Sequence, residues 1–326
     1  MTRWMIVSLA CLLALVACGR PAEAPPEAPA GAGFPVTVTG KLGAATIPAQ
    51  PVRVVATDWT SADIALALGV VPVAAQRVRL GTDTGIQPWA QEKLGGAPAP
   101  QLFGTDQGDP IETIAAARPD VILATKDYNL DTDYAALSAI APVVHYAAAP
   151  NADSWQDTTR AIAAALGKVD EGEQLITDTQ NRIAEARDGN AALGGRTFSF
   201  LVGPTDTGVY AVNSADDVSA RFLTELGLTL SPATAGLPTS SIPGRAQLSY
   251  EEIGRTDADL VVATGSAAAL GTLTAQPGFA ALSAATAGRY VALSPTEAQA
   301  IAFPSPLSLD WAVARVVPRL AEAAGR

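Results

Sequence analysis

One passage occurs twice in the sequence at a constant separation, and it constrains the fold more than any other feature. The two copies are PIETIAAARPDVILAT at 110–125 and SYEEIGRTDADLVVAT at 249–264. Glu112 and Asp120 of the first copy recur 139 residues later as Glu251 and Asp259. Each copy predicts a short helix with an acid in its first turn, followed by a buried strand. The continuous apolar runs are typical of parallel strands that are covered on both faces.

A second pair of segments repeats in the same order. A strand that begins at Arg53 precedes a helix that ends at Leu68-Gly69, and a strand over 196–202 precedes a helix that ends at Leu226-Gly227. Glycine at these positions suits the left-handed residue that terminates many helices. Two repeated pairs predict an α/β fold with two Rossmann-like lobes of similar build.

The segment between the two halves predicts a long helix. Ile176 and Ile183 fall at helical spacing, and Lys168–Asp188 would span about 30 Å. Gly167 is expected to end the preceding helix. As a connector, this helix would resist large closure of the lobes; the alternative is a surface helix within one domain. The predicted division is an N-terminal lobe over 36–166, a connecting helix over 167–190 and a C-terminal lobe over 191–326.

The first residues predict a secretion signal that ends in a lipid anchor. Residues 1–17 combine Arg3 with an apolar run too short for a stable membrane span, which is typical of a lipoprotein signal peptide. The sequence LVAC ending at Cys18 resembles the bacterial lipobox, in which the cysteine receives the lipid; the alternative is an ordinary secretory signal. The Pro- and Ala-rich residues 18–35 predict an extended tether. We therefore expect a protein held by Cys18 on the outer face of the cytoplasmic membrane.

Charge and the scarcity of two residue types exclude several functions. The formal net charge of −11 argues against nucleic acid as a partner. Two cysteines and one histidine exclude a zinc ribbon, an iron–sulfur cluster and a multi-histidine metal site. Cys11 would leave with the signal peptide, so no disulfide is expected. His145 is expected to be a hydrogen-bonded structural residue; the alternative is a role as a metal or haem ligand.

A lipid-anchored hydrolase is the enzymatic alternative. The sequence contains no G-x-S-x-G elbow, phosphate loop or dinucleotide fingerprint, and His145 has no recognisable nucleophile context. A direct zinc or manganese binder would need clustered histidines and carboxylates. We therefore expect a binding protein without enzymatic activity and without a resident cofactor.

Five short phrases, together with the duplicated lobes, carry a family resemblance. The phrases are PVRVV at 51–55, ALALGV at 65–70, RPDVIL at 118–123, APVV at 141–144 and PLSLDW at 306–311. In this order they resemble the substrate-binding lipoproteins of ABC importers for ferric siderophores, haem and cobalamin, and they are most similar to actinobacterial iron-siderophore binders. The resemblance runs from about Phe34 to Ala324. It implies a class III periplasmic-binding-protein fold, in which one long helix joins two α/β lobes.

The resemblance also implies a function and a partner. A protein of this kind captures a ferric siderophore between its lobes and, as a monomer, delivers it to the permease dimer of an ABC transporter; haem or cobalamin is the alternative ligand. One glutamate on each lobe meets arginine pockets of the permease, and the matching positions here are Glu112 and Glu251. Exposed carboxylates can accept paired hydrogen bonds from arginine. The alternative is that both are ordinary first-turn helix acids.

The ligand site is expected at the carboxyl ends of the strands, where open α/β sheets bind ligands. Arginine can pair with the oxygens of a ferric siderophore, and tryptophan and tyrosine can cover its flat faces. The iron arrives already coordinated, so no metal ligand from the protein is expected. Each aromatic residue could instead belong to the core, and each arginine could lie in solvent. The candidates are Trp59, Arg77, Arg79 and Tyr128 in the first lobe, and Tyr210, Arg221 and Arg245 in the second.

Overall fold

An antiparallel hairpin opens the part of the chain that the computed structural model describes, residues 33–326. Its strands are β1 (Val36–Gly40) and β2 (Gly43–Ile47). The predicted signal peptide over 1–17, Cys18 and most of the predicted tether lie outside the described residues. Within residues 33–326, no helix is both long and apolar enough to cross a lipid bilayer.

The first lobe alternates strands and helices. Its elements are β3 (Val54–Ala56), α1 (Trp59–Ala67), β4 (Ala74–Gln76), α2 (Pro88–Leu94), β5 (Gln101–Phe103), α3 (Ile111–Ala116), β6 (Val121–Ala124), α4 (Leu130–Ser138) and β7 (Val143–His145). The strands form a parallel sheet in the order β5-β4-β3-β6-β7. Every residue of β3 and β6 is buried, as expected for apolar runs covered on both faces.

Two helices follow the first sheet. They are α5 (Trp155–Ala165) and α6 (Val169–Asp188). Gly167 lies between them with φ of +67°, a left-handed conformation that glycine adopts readily, so the predicted helix end is confirmed. The long helix is also confirmed: α6 has 20 residues and begins one residue later than predicted.

The second lobe is built on a mixed sheet. Its elements are β8 (Thr197–Val202), β9 (Gly208–Val212), α7 (Val218–Glu225), β10 (Thr229–Leu230), α8 (Pro232–Ala235), β11 (Arg245–Ser249), β12 (Leu260–Thr264), α9 (Ala267–Thr274), α10 (Pro277–Ala280), α11 (Ser283–Thr286), β13 (Tyr290–Leu293), α12 (Pro295–Ala302), α13 (Pro306–Arg315) and α14 (Val317–Ala324). Short 3-10 helices cover Ala191–Leu193 and Tyr250–Thr256. The sheet order is β11-β9-β8-β12-β13, with β10 also paired to β8. Strand β9 is antiparallel to both of its neighbours.

The aspartates of the two repeat copies have the same structural task. Asp120 Oδ2 accepts hydrogen bonds from the backbone N–H groups of Val52 and Arg53, both at 2.8 Å, just before β3. Asp259 Oδ2 accepts hydrogen bonds from the backbone N–H and the hydroxyl of Thr197, both at 2.8 Å, at the start of β8. In each lobe the carboxylate therefore fixes the beginning of the neighbouring central strand. This shared contact gives the repeated spacing a physical reason.

The two repeat copies differ in their helices. Both copies form the predicted short helix, but the first is the α-helix α3 and the second is a 3-10 helix over Tyr250–Thr256. Gly254 stands in the second copy where the first has Ala115, and glycine is the poorer helix former. The antiparallel strands β9 and β11 are a further difference, because the sequence patterns did not predict them.

The lobes are joined by side-chain packing as well as by α6. Helix α13 packs against α1 and α2 of the first lobe and along α6. Trp89 of α2 meets Trp311 of α13, with ring centroids 5.3 Å apart. The buried Asp63 of α1 accepts hydrogen bonds from Trp89 Nε1 at 2.5 Å and from the hydroxyl of Ser305 at 3.1 Å. Since Ser305 caps α13, one carboxylate connects helices of both lobes.

The apolar core is continuous between the lobes. Leu66 and Ala90 of the first lobe are buried in the same cluster as Ile183 of α6 and as Phe198 and Phe200 of β8. Removing apolar surface from water contributes about 25 cal/mol per Å². The contact between the lobes is therefore part of what stabilises the fold.

Candidate functional site

A cavity of about 350 Å³ lies at the carboxyl edge of the first-lobe sheet. Most of its wall comes from residues that end or follow β3, β4, β5 and β6, as expected for an open α/β sheet. Phe303, in the turn between α12 and α13, supplies the wall from the second lobe. The lining residues are Asp58, Trp59, Thr60, Gln76, Thr105, Lys126, Asp127, Tyr128, Asn129 and Phe303.

Asp58 connects the ends of two central strands at this cavity. It caps α1, and its carboxylate accepts hydrogen bonds from the backbone N–H and the hydroxyl of Ser61, both at 2.7 Å. It also accepts a hydrogen bond from the backbone N–H of Lys126 at 2.9 Å. Burial raises the pKa of Asp58, and these hydrogen bonds oppose that rise. The carboxylate thus ties the end of β6 to the start of α1 and holds this wall in place.

Aromatic rings from opposite lobes meet in the cavity wall. The ring centroids of Trp59 and Phe303 are 5.0 Å apart and the planes lie at 66°, which is an edge-to-face arrangement. Both side chains are half-buried. Tyr128 lies at the rim, where it is 64% exposed. These rings offer flat apolar surface to a bulky ligand.

Lys126 places a buried ammonium group in the same wall. The residue is 3% exposed, and its Nζ donates a hydrogen bond to Asn151 Oδ1 at 3.2 Å. Burial lowers the pKa of Lys126; the charges of Asp58 and Asp153 oppose this change, and the charge of Arg221 adds to it. The guanidinium group of Arg221, in the second lobe, is therefore close enough to repel the ammonium group of Lys126.

Of the seven predicted ligand residues, Trp59 and Tyr128 line the cavity. Arg221 lies on the exposed side of α7 and lines a smaller cavity of about 50 Å³, which separates α7 from the start of α5. These three residues lie between or beside the facing parts of the two lobes.

The structure places Arg77 and Arg79 outside the cavity lining. Both are exposed, and Val78 between them is buried. Arg79 forms an ion pair with Asp106, and the Arg77 side chain lies against Gly85. Arg79 is therefore paired with a carboxylate from the loop after β5, and Arg77 lies against its own loop.

The structure also places Tyr210 and Arg245 outside the lining. Tyr210 is half-buried on β9, a strand whose antiparallel pairing with β11 the sequence patterns did not predict. Arg245 Nη2 forms an ion pair with Asp217 Oδ2 at 3.1 Å, and both side chains are largely buried. Asp217 is the residue that caps α7, so Arg245 supports the beginning of that helix.

Eight lining residues that we had not selected complete the wall. Gln76, Thr105, Lys126 and Asn129 end or closely follow strands, so the strand-end rule that located Tyr128 also covers them. Their side chains carry no pattern that distinguishes a ligand contact from an ordinary loop. Phe303 comes from a turn of the second lobe, and no sequence signal places it opposite Trp59. Asp58 and Thr60 belong to the start of α1, and Asp127 follows β6.

His145 has a structural role. Its Nε2 accepts a hydrogen bond from the backbone N–H of Leu42 at 2.9 Å, and its Nδ1 donates to the carbonyl of Val143 at 3.0 Å. The ring also packs against Gly40, where a Cβ would lie 2.6 Å from Nε2. Both nitrogens are thus engaged by backbone groups, as expected for a structural histidine. Within residues 33–326, no group of three His, Cys, Asp or Glu side chains is arranged to hold a metal ion.

The family described as "Periplasmic binding protein" matches residues 54–296, which is more than half of the chain. The chain belongs to this family. In this periplasmic binding protein, the two-lobed α/β fold with a long helix between the lobes agrees with the predicted class III architecture.

Relatives of this periplasmic binding protein include transport proteins and solved structures. A Bacillus subtilis protein named as an ABC transporter substrate-binding lipoprotein, YhfQ, is 29% identical over 233 residues, which are 70% of this chain and 69% of the relative. A periplasmic solute binding protein from Mycobacterium smegmatis is 34% identical, with a TM-score of 0.77 over 89% of this chain and 99% of that chain. Streptococcus pneumoniae PiaA in complex with ferrichrome is 27% identical, with a TM-score of 0.76 over the same shares.

The two repeated glutamates of this periplasmic binding protein are accessible. Glu112 lies in the first turn of α3, and Glu251 lies in the first turn of the 3-10 helix; both are exposed. Asp120 and Asp259, which fix the beginnings of β3 and β8, follow these two turns at the same spacing. The two carboxylates therefore occupy corresponding places on the two lobes.

Proposed function

We propose that the protein captures a ferric siderophore in the cavity between its lobes and delivers it to the permease dimer of an ABC transporter. The observation that carries this proposal is the cavity itself. It lies at the carboxyl edge of a parallel sheet, and Trp59 and Phe303 cover it from opposite lobes. The PiaA complex with ferrichrome, which has a similar fold, supports the same ligand class.

The residue types in the cavity also fit a ligand that brings its own iron coordination. Trp59, Tyr128 and Phe303 supply aromatic surface, and Lys126 supplies a cation. Iron held by a chelator needs no further protein ligand, so the binding protein has only to recognise the chelate. We propose accordingly that the protein acts as a binder and carries out no chemical reaction.

We propose that Cys18, which lies outside the described residues, carries a lipid that holds the protein on the outer face of the cytoplasmic membrane. The lipobox-like LVAC sequence supports this, as does the name of the Bacillus subtilis relative. Replacing the thiol by Cys18→Ser should prevent lipid labelling of the protein in cells. Undiminished labelling of this variant would contradict the anchor.

Binding of iron chelates by the purified protein tests the transport proposal. We expect tryptophan fluorescence to be quenched by at least one of a hydroxamate, a catecholate and a carboxylate ferric siderophore, with a micromolar or lower Kd. Trp59→Leu should weaken binding about tenfold, since it removes an aromatic wall. Trp311→Phe, which alters a tryptophan outside the cavity, is the matched control. A response to haem and to none of the three siderophore classes would contradict the proposed ligand.

A further inference from the structure

The carboxylates in the cavity wall are already engaged by protein groups. Asp58 accepts the three hydrogen bonds described above, two from Ser61 and one from the backbone of Lys126. Asp127 Oδ2 accepts a hydrogen bond from the hydroxyl of Thr57 at 2.6 Å, and its Oδ1 accepts one from the backbone N–H of Asn129 at 2.8 Å. Both carboxyl groups thus belong to the framework of the wall and remain there when a ligand enters.

The ammonium group of Lys126 lacks a charged partner of that kind. Within the described residues, no carboxylate oxygen lies within 4.0 Å of its Nζ, and its side-chain hydrogen bond goes to the neutral Asn151. An ammonium group has three N–H donors, so two remain for another acceptor. A buried cation with unused donors beside a cavity is suited to an oxygen atom of a ligand that carries negative charge.

Among the described residues that line the cavity, Lys126 is the one cation. The ion pair of Arg79 with Asp106 and the buried ion pair of Arg245 with Asp217 hold two other arginines elsewhere. Arg221 acts from the neighbouring small cavity, whose lining also includes Asp153 and Glu225. Within the lining itself, the two carboxyl groups of Asp58 and Asp127 accompany one amino group, which disfavours a ligand with several negative charges.

We infer that Lys126 is a specificity-determining residue, which binds an iron-coordinating oxygen of the ligand and selects chelates of zero net charge, such as ferric trihydroxamates, over the trianionic ferric tris-catecholates. This inference rests on the proposed function and names the ligand class of the same site. In a ferric trihydroxamate the coordinating oxygens keep partial negative charge while the whole complex is neutral, so one ammonium group suffices. A tris-catecholate complex would leave most of its charge uncompensated beside Asp58 and Asp127.

Two probes of different charge test this selection in the unaltered protein. Ferrichrome is a neutral trihydroxamate complex, and ferric enterobactin is a tris-catecholate trianion. We expect ferrichrome to bind at least 100-fold more tightly than ferric enterobactin when both are titrated under the same buffer conditions. Equal affinity, or tighter binding of ferric enterobactin, would overturn the charge selection and leave the siderophore function standing. Binding of haem with neither chelate would overturn the proposed function itself.

A pair of lysine variants tests the role of the ammonium group. Lys126→Gln keeps a hydrogen-bonding side chain without the charge and should weaken ferrichrome binding about 10- to 100-fold, the usual range for a lost hydrogen bond to a charged group. Lys93→Gln changes an exposed lysine of α2 and should leave Kd unchanged. Ferrichrome binding that is unaffected in Lys126→Gln would overturn the assignment. If this variant folds poorly, the ratio of the two Kd values for ferrichrome and ferric enterobactin in the unaltered protein still tests the selection of neutral chelates.

Discussion

At the scale of single residues, Asp63 combines a stabilising contact with an electrostatic cost. Its carboxylate joins Trp89 of one lobe to Ser305 of the other. Burial raises the pKa of Asp63 from 3.8 to about 7, although the hydrogen bonds from Trp89 and Ser305 oppose the rise. The folded protein thus binds this proton more tightly than the unfolded chain does.

The effect of pH on stability follows from this pKa. The stabilisation due to the Asp63 proton is complete below the unfolded pKa of 3.8 and is lost as the pH rises through about 7. Asp63→Asn stays neutral, so we expect the wild type to lose about 4 kcal/mol more than this variant between pH 4 and pH 8. Urea unfolding of both proteins across this range measures the difference.

The exposed Asp216 provides the control for this prediction. Asp216→Asn should follow the wild-type dependence on pH, because it leaves the buried carboxyl group between Trp89 and Ser305 in place. If the free energies of unfolding of wild type and Asp63→Asn ran parallel over the whole range, the carboxyl of Asp63 would not be titrating as described.

The candidate site could be predicted from sequence only in part, and the reason lies in single contacts. Strand ends are visible in the sequence, so Trp59 and Tyr128 were found. The sequence does not show whether an arginine contacts the ligand or forms an ion pair within the protein. The Arg79–Asp106 and Arg245–Asp217 ion pairs join residues that come together only in the tertiary structure. Lys126 is the opposite case, a residue that was not selected but lines the cavity. Only the three-dimensional structure shows that it is buried without a carboxylate partner.

At the scale of elements, hydrophobic runs predicted the buried strands and glycine positions predicted the helix ends. The buried strands β6 and β12 and the helix ends at Gly69 and Gly227 lie where the repeated patterns put them; both glycines have positive φ. The antiparallel strands β9 and β11 were missed because nothing in their local sequence shows that β9 pairs with β8 and that β11 pairs with β9. Local patterns thus predict elements better than they predict strand partners.

Helices α5 and α6 meet at a glycine, and this contact leads to an element-scale prediction. A Cβ at Gly172 would lie 2.4 Å from the Cβ of Ala163. Gly172→Ala should lower the free energy of unfolding by about 1 to 3 kcal/mol, because overpacking outweighs the gain in helix propensity. Denaturant unfolding measures this loss, and adding Ala163→Gly should restore part of it.

The matched control is a helical glycine with open space around it. Nothing lies within 4 Å of a Cβ at Gly271 of α9. Gly271→Ala should therefore raise the free energy of unfolding by about 0.5 to 1 kcal/mol, the ordinary propensity difference. A stabilising effect of the same size at Gly172 would mean that α5 and α6 are not in close contact there.

At the scale of the whole molecule, the two lobes present one exposed glutamate each. If Glu112 and Glu251 contact the permease, the double variant Glu112→Ala with Glu251→Ala should abolish uptake of the ferric siderophore by cells. Its Kd for the same ligand should equal that of the wild type, because neither residue lines the cavity. Radiolabelled iron uptake and fluorescence titration measure the two quantities separately.

Glu252 is the matched control for this docking prediction. It is exposed beside Glu251, but it forms an ion pair with Arg255 at 3.0 Å. Glu252→Ala should leave uptake close to the wild-type level. A parallel loss of ligand affinity in the double variant, or normal uptake by it, would remove these glutamates from the docking surface.

The core that runs from Leu66 and Ala90 to Phe198 and Phe200 has a consequence for how the molecule comes apart. Each lobe, if synthesised by itself, would expose to water the apolar side chains that the other lobe covers. Loss of one lobe's structure would thus remove burial from the other, so the two are expected to unfold in a single cooperative transition.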